Sequence, residues 1–268
     1  MLDASLSSHQ SSRITQGPVL WSSPLIQAIG GVSHGFTGRL GGCSSSGPIG
    51  GLNLSMRVGD LRADVLENQL RVTRGLGCDA SRLLTVKQVH GDRVVRVTSR
   101  AGKNIEADGV WTTDRQAPIA VLVADCVPII LADKQARVVA AVHAGWRGTC
   151  ARIAGVMVKT LTEAGFEPAE LVAAIGPSIG PDRFEIGPEV ATTIREAYPD
   201  SHSSLKPGRD DRWLADLWEL NRQDLTASGI PEHQIDVAGV CTHQSGDYFS
   251  YRRDGGVTGR QVGAVALV

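Results

Sequence analysis

The stretch that decides the fold is residues 118–150, PIAVLVADCVPIILADKQARVVAAVHAGWRGTC. Two apolar runs flank a polar turn at Asp133-Lys134-Gln135. Short aliphatic runs bounded by turn residues read as buried strands. Residues 119–123 and 129–131 are therefore expected as strands on either side of a break at Cys126-Val127-Pro128, and 138–142 as a third. Proline removes a ladder donor, so it marks an edge, a bulge or the first residue of a strand. The third strand ends at His143, and Gly145 and Gly148 lead into a helix from 149 (TCARIAGVMVKTLTEAGF) that stops near Gly165. One strand stops at a cysteine and another ends at a histidine before a glycine-rich turn. That is the layout of a site built on a sheet.

Working outward, 32–38 (VSHGFTG) alternates as an early strand, and a Gly/Ser-rich loop carrying Arg39 follows, then Leu52-Asn53-Leu54. This loop reads equally as plain surface or as a backbone-rich cradle that turns Arg39 and Asn53 toward a ligand, because glycine permits close approach. Residues 64–77 have helical spacing, with Val65, Leu66, Leu70 and Val72 on one side and Gly75 and Gly77 at the end. Short strands are expected at 83–86 and 94–98, around Lys87-Gln88-Val89-His90-Gly91, and an extended piece at 107–112. Beyond the central stretch come a strand at 171–175, helices at 189–198 and 213–228, and strands at 235–240 and 262–268. Helices and strands interleave with no linker or repeat. The expectation is one mixed α/β (α+β) domain over 18–268, preceded by a flexible Ser-rich tail at 1–17.

Composition narrows the function. A hydrophobic fraction of 42% and a charged fraction of 21% describe a soluble chain with a sizeable core. The net charge of −1, the lack of any Lys/Arg run and the 4% aromatics argue against nucleic acid as a partner. No apolar run is long enough to cross a bilayer, so no membrane partner is expected. The N-terminus lacks the features of a secretory signal, so a cytoplasmic protein is expected. Five cysteines, an odd number without a C-x-x-C pair, argue against a disulfide framework.

Each cysteine is then a core filler, a ligand or a nucleophile. Cys126, His143 and His90 are the candidates for chemistry. Two His and one Cys suit a catalytic zinc with an open fourth position, while the thiolate can also serve as a covalent nucleophile with a His as base. A lone Cys in an apolar strand is also a common core residue, and the three are far apart in sequence. Arg147 sits at a helix start, where backbone N–H groups favour anions. Arg252 and Arg253 are either a phosphate grip or solvated. Asp125 is either a group that orients a ligand His or a turn residue. Trp146 and Phe249 read as core before base-stacking. Cys78, Cys150 and Cys241 read as structural, and His9 and His202 as exposed.

The ordered set His34-Gly35-Phe36, Leu52-Asn53-Leu54, Lys87-Gln88-Val89-His90-Gly91, Ala107-Asp108-Gly109, Ala124-Asp125-Cys126-Val127-Pro128, His143-Ala144-Gly145-Trp146-Arg147-Gly148, Ile175-Gly176-Pro177-Ser178-Ile179-Gly180-Pro181 and Phe249-Ser250-Tyr251-Arg252-Arg253-Asp254-Gly255 resembles the laccase-domain family, once labelled multicopper polyphenol oxidases. The resemblance implies a single domain of layered sheets flanked by helices, the laccase-domain (cysteine-hydrolase-like) fold. It implies a zinc held by His90, Cys126 and His143, which are also the catalytic residues, with Arg39, Asn53, Arg147 and Arg253 as substrate contacts. The implied activity is phosphorolysis of purine nucleosides together with adenosine deamination, so a nucleoside and phosphate are the partners. The alternative is an amidase that removes L-serine from a UDP-linked muramyl precursor. Copper oxidation of phenols is disfavoured: it needs a His-rich cluster, and the chain has seven His and no His-x-His pair. Three positions depart from the family pattern: Ser178 stands where Cys is frequent, Gln69 where Arg follows the helix Asn, and Cys43 where Val is usual.

Overall fold

The computed structural model describes residues 19–45, 47–98 and 105–268; the tail expected at 1–17 lies outside the described residues. In chain order the elements are β1 (Val19–Trp21), α1 (Pro24–Gln27), β2 (Val32–Thr37), α2 (Arg62–Gly75), β3 (Val94–Arg96), β4 (Gly109–Thr112), β5 (Ile119–Val123), β6 (Val127–Asp133), β7 (Val139–Ala144), α3 (Trp146–Cys150), α4 (Ile153–Glu163), β8 (Leu171–Ile175), β9 (Glu185–Ile186), α5 (Pro188–Ala197), β10 (Leu205–Pro207), β11 (Trp213–Ala215), α6 (Leu217–Ala227), β12 (Ile235–Val237) and β13 (Gln261–Leu267). The described residues form a six-stranded sheet of order β12-β8-β6-β7-β4-β3, a four-stranded sheet of order β1-β2-β13-β5 and a small sheet of order β10-β11-β9.

Alternation of side chains along a strand explains the layering. In β6, Val127, Ile129 and Leu131 join a core shared with Met157 and Leu161 of α4 and with Leu220 and Leu225 of α6. The intervening Ile130 and Ala132 face the other sheet and pack with Phe36, Val121 and Val265. The four-stranded sheet turns its outer face, Ala120, Val262, Ala264 and Ala266, to Val72 of α2 and to Leu76 just after it. Both sheets are thus covered on both faces, giving helix, sheet, sheet, helix. This is why the central strands read as continuous apolar runs rather than alternating ones. The sheets approach closely at Phe36: a Cβ on Gly176, just after β8, would overlap its ring, and one on Gly263 of β13 would come to 3.0 Å.

Pro128 lies inside the six-stranded sheet, at neither an edge nor a bulge nor the first position of its strand, so the expectation for proline is not met. It is the second residue of β6 and pairs with His143. The His143 N–H goes to the Asp108 carbonyl at 2.7 Å, and the Pro128 carbonyl accepts from Gly176 at 2.8 Å, so the missing N–H falls where the β6–β8 ladder begins.

Several elements differ from expectation. The two runs beside Cys126 become β5 and β6 in different sheets, so the cysteine sits where the chain crosses between layers. The helix expected from 149 begins at Trp146 and breaks at Arg152, which is left-handed with φ 60°. There Arg152 donates to the Ala197 carbonyl and stacks on Tyr198 at 3.8 Å, contacts that no local spacing announces. The first four residues expected in the 213–228 helix are not helical. Trp213 and Leu214 pair with Ile186 and Glu185, and the Asp216 side chain caps α6 by accepting from Glu219 N–H. In α2 the buried face is Val65, Asn68, Gln69, Val72 and Thr73, not the Leu66 and Leu70 side. The Asn68 amide reaches the Asn53 carbonyl at 2.9 Å and the Gln69 amide the Leu54 carbonyl at 3.3 Å, so polar residues hold the inward face. Residues 83–86 contribute an isolated bridge, Leu84 to Ile119, instead of a strand. The remaining strands and the 189–198 helix appear within a few residues of expectation.

His34 of β2 is buried, and its Nε2 accepts from the Ser23 N–H at 2.9 Å. Burial lowers its pKa from 6.5 to about 4, so the fold holds it neutral. The unfolded chain binds this proton more readily than the folded one. The stability contributed by neutral His34 is therefore complete above about pH 6.5 and is lost as pH falls through about 4. Urea melts of wild type and His34→Gln at stepped pH are expected to show the wild type losing up to about 3 kcal/mol more across that window. Parallel slopes would refute it.

Candidate metal centre

Three segments converge at the crossing between the sheets. Cys126 immediately precedes β6, His143 is the penultimate residue of β7, and His90 lies on the loop before β3. One ligand atom from each lies within 4.8 Å of the others. Register brings the strand ligands together, since Val127 pairs with Ala144 and Pro128 with His143. Gly145 then has no room for a side chain: a Cβ there would lie 3.1 Å from Cys126 Sγ and 3.2 Å from His90 Cδ2. The two imidazoles meet edge to face, 4.8 Å between centroids and 78° between planes. His143 is buried, Cys126 half-buried and His90 exposed, so the group opens to solvent on one side.

Asp108 organises the two histidines. Its carboxylate is fully buried and accepts from the backbone N–H groups of Val89 (3.2 Å), His90 (2.9 Å) and Gly91 (2.8 Å). It also bonds His143 Nδ1 at 2.8 Å. An ionised carboxylate only accepts, so Nδ1 carries the proton and Nε2 is left as the ligand nitrogen. The loop amides hold His90 in a left-handed conformation, φ 62°. Burial pushes the Asp108 pKa up, but the bonds from His143, Gly91 and His90 prevail and hold it below the usual carboxylate value. Burial likewise raises Cys126, and the two histidines more than reverse this, favouring the thiolate. Burial lowers His143, while Cys126 and Asp108 raise it. Two imidazole nitrogens, a thiolate and an open side form a donor set that fits a divalent metal such as zinc.

Asp125 does not orient a histidine. It has φ 85°, and its carboxylate collects the Thr242 hydroxyl (2.6 Å), the Ser250 hydroxyl (3.0 Å) and the Arg252 N–H (2.7 Å). This ties the cysteine turn to the Tyr251-Arg252 loop.

A cleft of about 880 Å³ opens from His90, Cys126 and His143, walled by Trp146, Arg147, Phe184, Tyr251, Arg252 and Arg260 and also by Arg57, Arg62, Gln69, Arg82 and Lys87. Arg147 is exposed and stacks on Trp146 at 4.3 Å. The other sequence candidates lie elsewhere. Arg39 stacks over Phe249 at 5.1 Å, and Asn53 is fully buried beneath the wall. Arg253 donates to the carbonyls of Thr242 (2.8 Å), Ser245 (2.8 Å) and Tyr248 (2.7 Å) and pairs with Asp254. Phe249 is core, and His202 is exposed. Ser178 accepts from Trp218 Nε1 at 2.6 Å, and Cys43 Sγ contacts Asn68 Oδ1 of α2 at 3.3 Å. Sequence reasoning missed Asp108, Arg57 and Arg260. Asp108 had a signal, a carboxylate between small residues in a quoted motif; the two arginines had none.

Fold and His/Cys/His trio together define a layered mixed α/β protein with a candidate metal centre at a sheet crossing. The chain belongs to the family described as multi-copper polyphenol oxidoreductase laccase, whose model matches residues 33–268. A purine nucleoside phosphorylase of Deinococcus radiodurans is 38% identical over 245 residues, 91% of this chain and 93% of its own. The purine nucleoside phosphorylase YfiH of Escherichia coli is 35% identical, covering 89% and 95%. The solved structure of YlmD from Geobacillus stearothermophilus superposes with a TM-score of 0.85 at 32% identity, covering 94% and 99%. Among the described residues no helix is long and apolar enough to cross a membrane.

Replacing Asp108 by Asn removes the acceptor that fixes the His143 tautomer and part of the His90 loop. Divalent-metal affinity, read by chelator competition, is expected to fall about 10–100-fold, and Cys126→Ala to lower it further. Unchanged affinity in Asp108→Asn would show that the carboxylate does not support the ligands.

Proposed function

We propose that the protein is a zinc-dependent purine nucleoside phosphorylase. It converts adenosine, inosine, guanosine or methylthioadenosine and phosphate into the free base and the 1-phosphorylated sugar, and it also deaminates adenosine. The observation that carries this reading is the cationic cleft ending at His90, Cys126 and His143. The names of the relatives support the same class.

His90, Cys126 and His143 hold the zinc, which when bound supplies Lewis acidity at the cleft floor. Asp108 keeps Nε2 of His143 free for it. Arg147, Arg252 and Arg260 line the same end and suit a phosphate, since guanidinium groups grip its oxygens in pairs. Trp146, Phe184 and Tyr251 offer faces for a purine. In phosphorolysis a phosphate oxygen bonds to C1′ as the C1′–N9 bond breaks, the base leaving with the electron pair and taking up a proton. Holding the phosphate beside the sugar is the main contribution such walls make.

A second reading rests on the cleft's size. About 880 Å³ lies near the upper end of small-molecule pockets, roughly 300–1,000 Å³. Arg57, Arg62 and Arg82 add further positive charge to its walls. A UDP-linked muramyl-serine precursor fits that size and charge, with the amide at the metal end and serine as the product.

Chromatography of adenosine incubated with the zinc-loaded protein tests the first reading. Adenine is expected only with phosphate present and inosine without it, both falling at least about 100-fold in Cys126→Ala. Absence of both products from the wild type, or full activity in Cys126→Ala, would sink it. Release of serine from the muramyl precursor would establish the second.

A further inference from the structure

Asn53 was a candidate substrate contact from sequence, yet it does not reach the cleft. It is fully buried, and its amide is saturated. Nδ2 donates to Asp60 Oδ2 at 2.7 Å and to the Ser55 carbonyl at 3.1 Å. Oδ1 accepts from the Arg260 N–H at 2.9 Å and from the Ser55 N–H at 3.1 Å. The Ser55 hydroxyl in turn accepts from the Arg57 N–H at 3.2 Å. One side chain therefore fastens the chain just before β13 to the loop before α2, segments about 200 residues apart in sequence.

Each fastened segment carries an arginine into the cleft wall, Arg57 from the loop and Arg260 from the approach to β13. Among the described residues neither takes part in an ion pair, unlike Arg71, Arg137, Arg222 and Arg253. Arg260 is half-buried and feels the charges of Cys126 and Asp125, which places it beside the metal end. Its guanidinium donates to the carbonyls of Thr258 and Gly259, both at 2.9 Å, which fixes its direction without neutralising it. A half-buried, directed cation without a counter-ion is costly to maintain and is matched by an anionic ligand. The Asp60 carboxylate that Asn53 holds is itself engaged by Asn53, Ser44 and the Leu61 N–H.

We propose that Arg57 and Arg260 form a phosphate subsite of the cleft and that Asn53 is its positioning residue, setting the spacing of the two arginines through the backbone. The inference rests on the reading of the cleft as phosphate-accepting. It names which cations do the work and what holds them.

Calorimetric titration of the zinc-loaded protein with inorganic phosphate tests it, alongside KM for phosphate and for adenosine. Asn53→Asp loses both donors and sets a second carboxylate against Asp60. It is expected to weaken phosphate about tenfold while the adenosine KM moves less than about twofold and zinc content stays unchanged. Asp60→Asn keeps the shape and lies off the cleft; it is expected to act in the same direction with a smaller shift, and it decides the matter if Asn53→Asp does not fold. Arg260→Ala is expected to abolish measurable phosphate binding. Phosphate affinity within about twofold of wild type in a folded Asn53→Asp or Asp60→Asn would overturn the assignment, as would equal weakening of phosphate and adenosine that tracks melting temperature. A wild type that binds phosphate but splits no adenosine removes the proposed activity and leaves the subsite standing. A wild type that binds no phosphate removes the subsite.

Discussion

The Asp108 carboxylate is the point on which the centre depends. A fully buried charge is expensive unless its oxygens are satisfied, and here three loop N–H groups and His143 Nδ1 satisfy it. The same bonds do three jobs. They bend the 89–91 backbone into a shape that a non-glycine residue rarely adopts, set the His143 tautomer, and lock the loop before β3 to the start of β4 and the end of β7. The backbone carbonyl of Asp108 adds a fourth link by accepting from His143 N–H. Neither ligand histidine is positioned by its own local conformation alone.

The second constraint is the crossing of the chain between sheets. β5 and β6 are separated by Ala124-Asp125-Cys126, and they belong to different layers. A link that short forces a tight turn at the seam of the sandwich, which Asp125 meets with φ 85°. Its carboxylate holds Thr242, Ser250 and the Arg252 N–H, so the seam also draws in the C-terminal loop that forms one wall of the cleft. The Cys126 thiolate is thereby set at the open end of the sandwich, where both layers contribute walls and neither closes over it.

The arginines divide into two groups by what satisfies them. Arg253 is consumed by three carbonyls and a carboxylate, and Arg39 packs over a buried aromatic ring; both hold loops in place. Arg57, Arg147, Arg252 and Arg260 line the cleft, and among the described residues they form no ion pair. Charge left uncompensated around a metal-ligand trio is what an anionic substrate requires, and it was brought there by the buried amide of Asn53 and the buried carboxylate of Asp125. The cleft's chemistry is thus set from behind its walls.

Much of the architecture was legible from residues alone. Continuous runs of Val, Ile and Ala between turn residues marked the buried strands, because such side chains suit a sheet covered on both faces. The ordered motifs around His90, Cys126 and His143 marked the three side chains that the fold brings together. The sequence did not show that 119–123 and 127–133 enter different sheets, that 213–215 is strand rather than helix, or that the helix after His143 breaks at Arg152. Each of these was decided by partners remote in the chain: β13, β9, and Ala197 with Tyr198. The roles of Asp108, Asn53, Arg57 and Arg260 were likewise hidden, since whether a polar side chain serves the ligand or the fold depends on which distant groups use up its hydrogen bonds. The sequence by itself determined the buried strands and the motifs that carry His90, Cys126 and His143, through local periodicity and motif. Only the tertiary structure decided which charges remain free to meet a substrate, because that is settled by pairing across the whole chain.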